Sequence, residues 1–294
     1  MKILIAEDDL TSRLVLGATL KKLGHEVTAA GDGQQAWDAL AGEHFPVLIS
    51  DWMMPGMDGL ELCRRIRGGS DPQYTYIILL TAMGGKASFL DGMDAGADDF
   101  VTKPFDEEQL VARLRVAERI LALHAKLRTQ AMFDGLTGLL NRTAIVNCLT
   151  SEMDRARRDA KPLSAVLLDL DHFKRVNDSY GHGAGDDVLR EAARRLKNAM
   201  RGYDTVGRYG GEEFLIVAPG CSAADVLALA ERVRQSIGER NVETGAESLP
   251  ISCSLGAAVA WAEKKEEADA LVARADAALY RAKEKGRNRT ELAE

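Results

Sequence analysis

Short apolar runs alternate with longer amphipathic stretches through the first third of the chain, and residues 2–6, 27–30, 47–50, 76–81 and 99–103 read as strands. Apolar runs bounded by turns, each followed by a helical period, predict parallel strands joined by crossover helices and buried on both faces. That pattern is a doubly wound α/β domain. From Asp106 to about Met132 there is no proline or glycine, and Val116, Ile120, Leu123 and Leu127 recur at helical spacing. One long helix is predicted. Its first part would pack on the sheet, and its part beyond residue 121 would be exposed, with an apolar seam suited to pairing with a second copy as a short coiled coil.

The pattern then changes. Strands are predicted at 163–168, 205–209, 213–218 and 250–260, with helices at 186–200, at 223–237 and from Ala268. This alternation predicts a mixed α+β sheet close to the ferredoxin-like arrangement. The expected organisation is a first domain at 1–121, a helical linker at 122–132 that continues its last helix, and a second domain at 133–294.

Length agrees with two cores, since 294 residues divide into two at about 150 residues per domain. A net charge of -7 argues against a nucleic-acid partner, because a phosphate backbone needs a basic face. Cys63, Cys148, Cys221 and Cys253 are scattered with no C-x-x-C pair, which predicts buried free thiols rather than zinc or disulfides. The opening apolar run turns acidic at Glu7 and is too short for a signal peptide or a membrane span. A soluble cytoplasmic protein with no membrane partner is expected.

In a doubly wound sheet, ligands bind beyond the carboxyl ends of the strands. Those ends carry Glu7, Asp8, Asp51, Thr81 and Lys103. Taken singly, Asp8 or Asp51 could cap the next helix, and Lys103 before Pro104 could be a solvated loop charge. All five at strand ends, in order, favour a site. Converging carboxylates repel unless a hard dication sits among them, and oxygen donors of this kind suit Mg2+.

Ala6-Glu7-Asp8-Asp9, Ser50-Asp51-Trp52-Met53-Met54-Pro55-Gly56-Met57-Asp58-Gly59, Leu80-Thr81-Ala82 and Val101-Thr102-Lys103-Pro104-Phe105 resemble the receiver domain of two-component response regulators. The resemblance spans residues 1 to about 121 and implies a (βα)5 flavodoxin-like fold. It also implies that Asp51 is the phosphoacceptor and that Asp8, Asp51 and the Met53 carbonyl bind Mg2+ with Glu7 nearby. Thr81 and Lys103 would contact the phosphoryl group, and Phe100 would be the aromatic switch, a role compatible with an ordinary core position. A cognate histidine kinase or phosphotransfer protein is the implied donor. A carboxylate can attack phosphorus when a metal and a lysine neutralise the charge in transit.

Asp169 and Asp171 follow an apolar run, and Gly210-Gly211-Glu212-Glu213 lies between two strands. Gly-Gly between strands predicts a hairpin whose glycines accept positive φ. Glu212 and Glu213 could be solvated turn residues, or with Asp169 they could form a metal site for phosphoryl transfer.

Further blocks decide between these. Asp134-Gly135-Leu136-Thr137-Gly138-Leu139-Leu140-Asn141-Arg142, Asp169-x-Asp171-x-Phe173-Lys174-x-x-Asn177-Asp178, Gly181-His182-x-x-Gly185-Asp186, Arg208-Tyr209-Gly210-Gly211-Glu212-Glu213-Phe214 and Ala275-Asp276-x-x-Leu279-Tyr280-x-Ala282-Lys283-x-x-Gly286-Arg287-Asn288 resemble the GGDEF diguanylate cyclase domain. The match runs from about 131 to 290 and implies a ferredoxin-like, cyclase-palm fold. Glu212 stands where the family's name has Asp, a variant that active members also use.

The resemblance implies Mg2+ (Mn2+ as substitute) on Asp169, the Leu170 carbonyl and Glu212, with Glu213 beside them. It implies guanine recognition by Asn177 and Asp186 and triphosphate contacts from Lys174, Lys283 and Arg287. Glu212 and Lys174 are the implied catalytic residues. A carboxamide and a carboxylate can complement guanine's Watson–Crick edge. Lys283 and Arg287 are four apart, which would put them on one helix face. Arg201-Gly202-Tyr203-Asp204 matches the family's R-x-x-D inhibitory motif for cyclic di-GMP, with Arg232 as a secondary contact; alone, R-x-x-D is a weak pattern, commonly a surface salt bridge. The implied activity is condensation of two GTP into cyclic di-GMP and two pyrophosphates by a homodimer, controlled by phosphorylation of Asp51 and inhibited by product.

Overall fold

The computed structural model describes residues 1–69, 73–82, 86–245, 247–261 and 266–293, the side chains of 86–89 aside. The chain divides into two compact units, Met1–Leu127 and Arg128–Glu294.

The first unit is built on β1 (Lys2–Ala6), β2 (Glu26–Ala30), β3 (Val47–Asp51), β4 (Tyr76–Thr81) and β5 (Asp99–Thr102), which form a parallel sheet in the order β2-β1-β3-β4-β5. The helices are α1 (Leu10–Lys22), α2 (Gly33–Gly42), α3 (Gly59–Gly68), α4 (Lys86–Asp94) and α5 (Glu107–Met132). Successive strand residues feed two separate cores. Leu4, Leu48, Ile77 and Leu79 pack with α2 and α3 residues on one face. Ile3, Ile5, Ile49 and Ile78 pack with Leu16 and Leu20 of α1 and with Leu110 and Leu114 of α5 on the other. Alternating direction along a strand makes this division, and burial of both faces explains the continuous apolar runs.

Helix starts resolve the alternative roles of the acids. Asp9 caps α1 through Ser12 N, Asp32 caps α2 through Gln35 N, and Asp58 caps α3 through Glu61 N. Asp8 and Asp51 therefore do not cap the helices that follow them. The exposed stretch of α5 begins after Leu121, as its pattern predicts. His124 is nevertheless stacked on Tyr74 at 4.0 Å, and the Tyr74 hydroxyl donates to Asp98. Burial and that bond push the Tyr74 phenol up to about 12.

The second unit contains α6 (Arg142–Asp159), β6 (Leu163–Leu170), α7 (Phe173–Ala199), β7 (Thr205–Arg208), β8 (Glu213–Pro219), α8 (Ala223–Gly238), β9 (Val242–Glu243), β10 (Ser248–Leu249), β11 (Cys253–Ala260), α9 (Ala268–Glu284) and β12 (Thr290–Leu292). Its main sheet has the order β12-β11-β6-β8-β7, antiparallel except for the β11–β12 pair. The succession β6-α7-β7-β8-α8-β11 is the ferredoxin-like arrangement. α7 and α8 cover one face, and α6 and α9 cover the other. Every residue of β6 and β11 is buried, so both faces require a cover.

Several boundaries correct the sequence expectation. α7 starts at Phe173 rather than at 186 and is broken at Gly181, whose φ of 81° and ψ of 165° are not helical. The glycines of Gly181-His182-Gly183 hid a helix that resumes at once. β11 starts at Cys253 rather than at 250, β12 was not anticipated, and the short β9–β10 hairpin leaves no period to read. Among the described residues no helix is long and apolar enough to cross a membrane.

Gly256 sets the closest approach in this unit: a Cβ there would lie 2.1 Å from the Ala275 carbonyl oxygen and 2.2 Å from the Leu279 nitrogen. The backbone of α9 thus rests directly on β11. Gly256→Ala is expected to destabilise the second unit by about 3 kcal/mol or more, because backbone rather than a flexible side chain must yield. Thermal unfolding followed by circular dichroism measures this loss.

Candidate functional sites

In the first unit, the carboxyl ends of β1, β3, β4 and β5 bring the expected residues together. The donor oxygens of Glu7, Asp8 and Asp51 lie within 4.8 Å of one another. Glu7 is buried, Asp51 half-buried and Asp8 exposed. Lys103 Nζ stands 2.6 Å from Glu7 Oε2 and 2.6 Å from Asp51 Oδ2. Burial, with the Asp51 charge, raises the Glu7 pKa against the pull of Lys103. Burial alone would lower the Lys103 pKa, but its bonds to Asp51 and Glu7 prevail and raise it. Three carboxylates beside one lysine form an all-oxygen donor set that fits a hard dication.

The backbone shapes this crevice. Met53 N donates to Asp51 Oδ1 at 3.4 Å, which keeps the Met53 backbone beside the carboxylate. A Cβ at Gly59 would lie 2.2 Å from the Asp51 carbonyl oxygen, so glycine is required where α3 begins. Arg13, which sequence reasoning missed, donates to the Glu7 carbonyl and to the Asp8 carbonyl at 3.3 Å. Nothing in its spacing marked an α1 arginine as a brace for the acidic loop. Thr81 lies at the end of β4, its carbonyl accepting from Lys103 N at 2.7 Å. Phe100 is half-buried against Trp52, ring centroids 6.3 Å apart, and a Cβ at Gly92 would come within 2.6 Å of its ring.

In the second unit, Asp169 pairs in register with Glu213, and Leu170 N donates to the Glu212 carbonyl at 3.3 Å. Lys283 Nζ is 2.8 Å from Asp169 Oδ2. Burial raises the Asp169 pKa, opposed by Lys283 and, more weakly, by Arg287. Burial and the Asp169 charge likewise raise Glu213. Among the described residues only Glu7, Asp8 and Asp51 gather three donors within 4.8 Å; Asp169, Glu212 and Glu213 do not.

Two expectations need correction here. Neither Gly210 nor Gly211 has positive φ. Tyr209 N donates to the Glu213 carbonyl at 2.8 Å, so the loop holds three residues rather than a two-residue primed turn. A Cβ at Gly210 would meet Glu213 Oε2 at 2.5 Å, the end of a side chain that could turn aside. Lys283 and Arg287 do not share a helix face, because α9 ends at Glu284 and the chain reverses through Gly286 (φ 105°) and Arg287 (φ 60°). Both charges still act on Asp169.

Asn177 and Asp186 flank the break at Gly181. A Cβ at Gly185 would lie 2.0 Å from Asn177 Oδ1, so this glycine makes room for the carboxamide. Asp186 is half-exposed, with Arg190 3.8 Å away, and Lys174 is exposed. Arg201 N donates to Asp204 Oδ2 at 2.9 Å and Arg201 Nη1 donates to the Tyr203 hydroxyl at 3.1 Å, so the R-x-x-D segment is a closed turn. Asp204 Oδ1 is buried without a hydrogen-bond partner among the described residues. Arg232 donates to the Ala199 carbonyl at 3.1 Å, and the charges of Asp204, Arg201 and Arg232 all reach the buried Cys221 thiol, whose pKa burial raises.

A brace joins the end of α5 to the hairpin. Asn141 N donates to the Met132 carbonyl at 2.8 Å, and Arg208 N donates to the Leu140 carbonyl at 2.7 Å. The Arg208 guanidinium reaches Gly211 O at 2.7 Å with Nη2 and Asp134 at 3.2 Å with Nη1. Asp134 also accepts from Thr137 N and Oγ1 at 2.9 and 2.7 Å. Asp134 and Arg208 stand in separate motifs, and their separation of seventy-four residues conceals the pair in the sequence.

The two folds and their strand-end acids are those of a receiver domain followed by a cyclase-type domain. The chain belongs to the GGDEF family, since residues 131–289 match the family described as diguanylate cyclase, GGDEF domain. Residues 3–115 match the response regulator receiver domain. Response regulator PleD of Caulobacter vibrioides is 31% identical over 296 residues, covering 98% of this chain and 64% of PleD. Diguanylate cyclase DgcP of Pseudomonas aeruginosa is 40% identical over 218 residues, covering 70% of this chain and 32% of DgcP. The chain thus spans under two thirds of either relative. Among solved structures, the coiled coil and GGDEF domain of DgcB from Caulobacter crescentus in complex with c-di-GMP aligns at a TM-score of 0.60 and 32% identity, over 64% of this chain and 98% of that one. The active GGEEF domain of a diguanylate cyclase from Vibrio cholerae aligns at 0.50 and 32% identity, over 53% of this chain and 98% of that one.

Arg208→Ala is expected to cost about 1–3 kcal/mol by leaving Asp134 short of a partner in a partly buried site. Burial would raise the Asp134 pKa, but Thr137 and Arg208 outweigh it and hold the pKa below the usual value. A carboxylate lowered on folding adds stability above its unfolded pKa, and this is lost as pH falls through the folded one. Unfolding midpoints measured from pH 7 to pH 3 should show a smaller acid-dependent loss for Arg208→Ala.

Proposed function

We propose that this chain is a diguanylate cyclase controlled by its receiver domain, condensing two GTP into cyclic di-GMP and two pyrophosphates. The observation that carries the reading is the meeting of Asp169, Lys283 and the Arg287 charge beneath the Gly-Gly-Glu-Glu hairpin. Asn177 and Asp186 would read the guanine edge, where unpaired buried groups penalise the wrong base. Lys174, Lys283 and Arg287 would hold the phosphate chain. Mg2+, with Mn2+ as a substitute, would sit on Asp169, the Leu170 carbonyl, Glu212 and Glu213, where it supplies charge neutralisation at the α-phosphate. Asp169 fits that role as a buried carboxylate already drawn to a cation.

In each half-reaction the 3′-oxygen of one GTP bonds to the α-phosphorus of the other. The bond from that phosphorus to the pyrophosphate oxygen breaks, and Glu212 receives the hydroxyl proton. Two such steps close the ring. With one GTP per domain, the two nucleotides must meet across two protomers, and the exposed Leu123 and Leu127 of α5 offer a seam for the homodimer. Product would bind at Arg201, Asp204 and Arg232, holding the domains away from catalysis.

On the receiver, Asp51 would take a phosphoryl group from a histidine kinase or phosphotransfer protein, with Mg2+ on Glu7, Asp8, Asp51 and the Met53 carbonyl. Thr81 and Lys103 would follow the new charge, and Phe100 would move with Thr81. The residues 1–121, 122–132 and 133–294 would act as receiver, linker and cyclase. Cytoplasmic location is part of the same reading.

Purified chain incubated with GTP and Mg2+ should yield cyclic di-GMP, separated by chromatography, and a small-molecule phosphoryl donor should raise the rate. Asp169→Asn and Glu212→Gln should each lower the rate at least about a hundredfold. Asp51→Asn should retain basal activity but ignore the donor. A folded wild-type chain that binds cyclic di-GMP but makes none would replace this reading with a non-catalytic receptor. Gly185→Ala should weaken GTP binding about tenfold or more by displacing Asn177, measured by calorimetry.

A further inference from the structure

Asp171 belongs neither to the proposed metal set nor to the nucleotide contacts, yet its carboxylate is fully engaged. Oδ1 accepts from Ser254 Oγ at 2.7 Å, and Oδ2 accepts from Ser252 Oγ at 2.7 Å and from Asn288 N at 3.1 Å. Its own N–H donates to the Ser252 carbonyl at 2.9 Å. One side chain thus joins three segments: the end of β6, the approach to β11 and the turn after α9.

The turn is the informative partner. Arg287 and Asn288 both have positive φ, 60° and 47°. Consecutive side-chain-bearing residues in the left-handed region are disfavoured, and such backbone persists where its surroundings over-determine it. Here the determinants are visible. Arg287 N closes onto the Ala282 carbonyl at 3.0 Å. Asn288 is gripped from two sides, its N–H by Asp171 and its Oδ1 by Arg234 Nη1 at 2.7 Å. This conformation turns the chain back past the end of α9, the helix that carries Lys283 to Asp169.

We propose that Asp171 is a positioning residue that locks the Arg287–Asn288 turn and so aims the Arg287 guanidinium at the phosphate chain of a bound nucleoside triphosphate. The proposal rests on the GTP site described under Proposed function and deepens it. Asp171 sets affinity for the phosphates and leaves recognition of the base untouched. The two serines are its support, holding the carboxylate in line with Asn288 N.

A plain strut between β6 and β11 would behave differently, so the test separates phosphate from base. Binding of a non-hydrolysable GTP analogue and of GMP, both with Mg2+, is measured for the full chain by calorimetry. Asp171→Asn is expected to weaken the analogue about tenfold while GMP affinity stays within about twofold. In an Arg287→Ala background the same substitution should add less than about twofold, because it acts through that arginine. Arg234→Ala releases the other side of the turn and should repeat the selective loss several-fold, which keeps the test available if Asp171→Asn fails to fold. Ser254→Ala, which removes one support of the carboxylate but spares the Asn288 bond, should show the same selective loss at smaller size.

Equal losses for both ligands, or losses that add fully in the Arg287→Ala background, would overturn the proposal. Wild-type chain that binds GTP and makes cyclic di-GMP while the turn variants show no selectivity would sink this inference alone. Wild-type chain that binds no GTP would remove the functional reading, and this inference with it.

Discussion

Like charge must be gathered and neutralised at both sites, and in each a lysine ammonium does it. Lys103 lies 2.6 Å from both Glu7 and Asp51, and Lys283 lies 2.8 Å from Asp169. Burial raises the pKa of Glu7 and of Asp169, so an uncompensated carboxylate in either place would tend to take up a proton. The lysine opposes that rise and favours the charged form. Each lysine reaches its acid from outside the strand that carries the acid: Lys103 follows β5, and Lys283 rides on α9. The ion pairs therefore depend on correct folding of distant segments.

That dependence explains the amount of backbone support around each site. Arg13 holds the Glu7 and Asp8 carbonyls, and Arg208 spans Asp134 and Gly211. Asp171 joins Ser252, Ser254 and Asn288. These partners bind main-chain groups or other supporting residues, and a carbonyl or N–H is present whatever residue stands there. Sequence alone consequently hides them.

What could be read directly follows the same division. The five parallel strands, the ferredoxin-like order and the strand-end acids rest on local periodicity and short motifs, and they stand close to where the pattern puts them. The failures are conformational. Four-residue spacing puts Lys283 and Arg287 on one helix face only where the helix continues, but α9 ends at Glu284 and the chain turns through Gly286. A Gly-Gly pair between strands suggests positive φ, whereas neither Gly210 nor Gly211 adopts it. The start of α7 was missed because Gly181 breaks a helix that resumes immediately. In each case the spacing assumes a regular backbone, and the chain departs from it between the residues.

Gly256 has one further consequence. Because β11 and α9 touch main chain to main chain there, any side chain at 256 would push the helix off the strand, and the Lys283 ammonium with it away from Asp169.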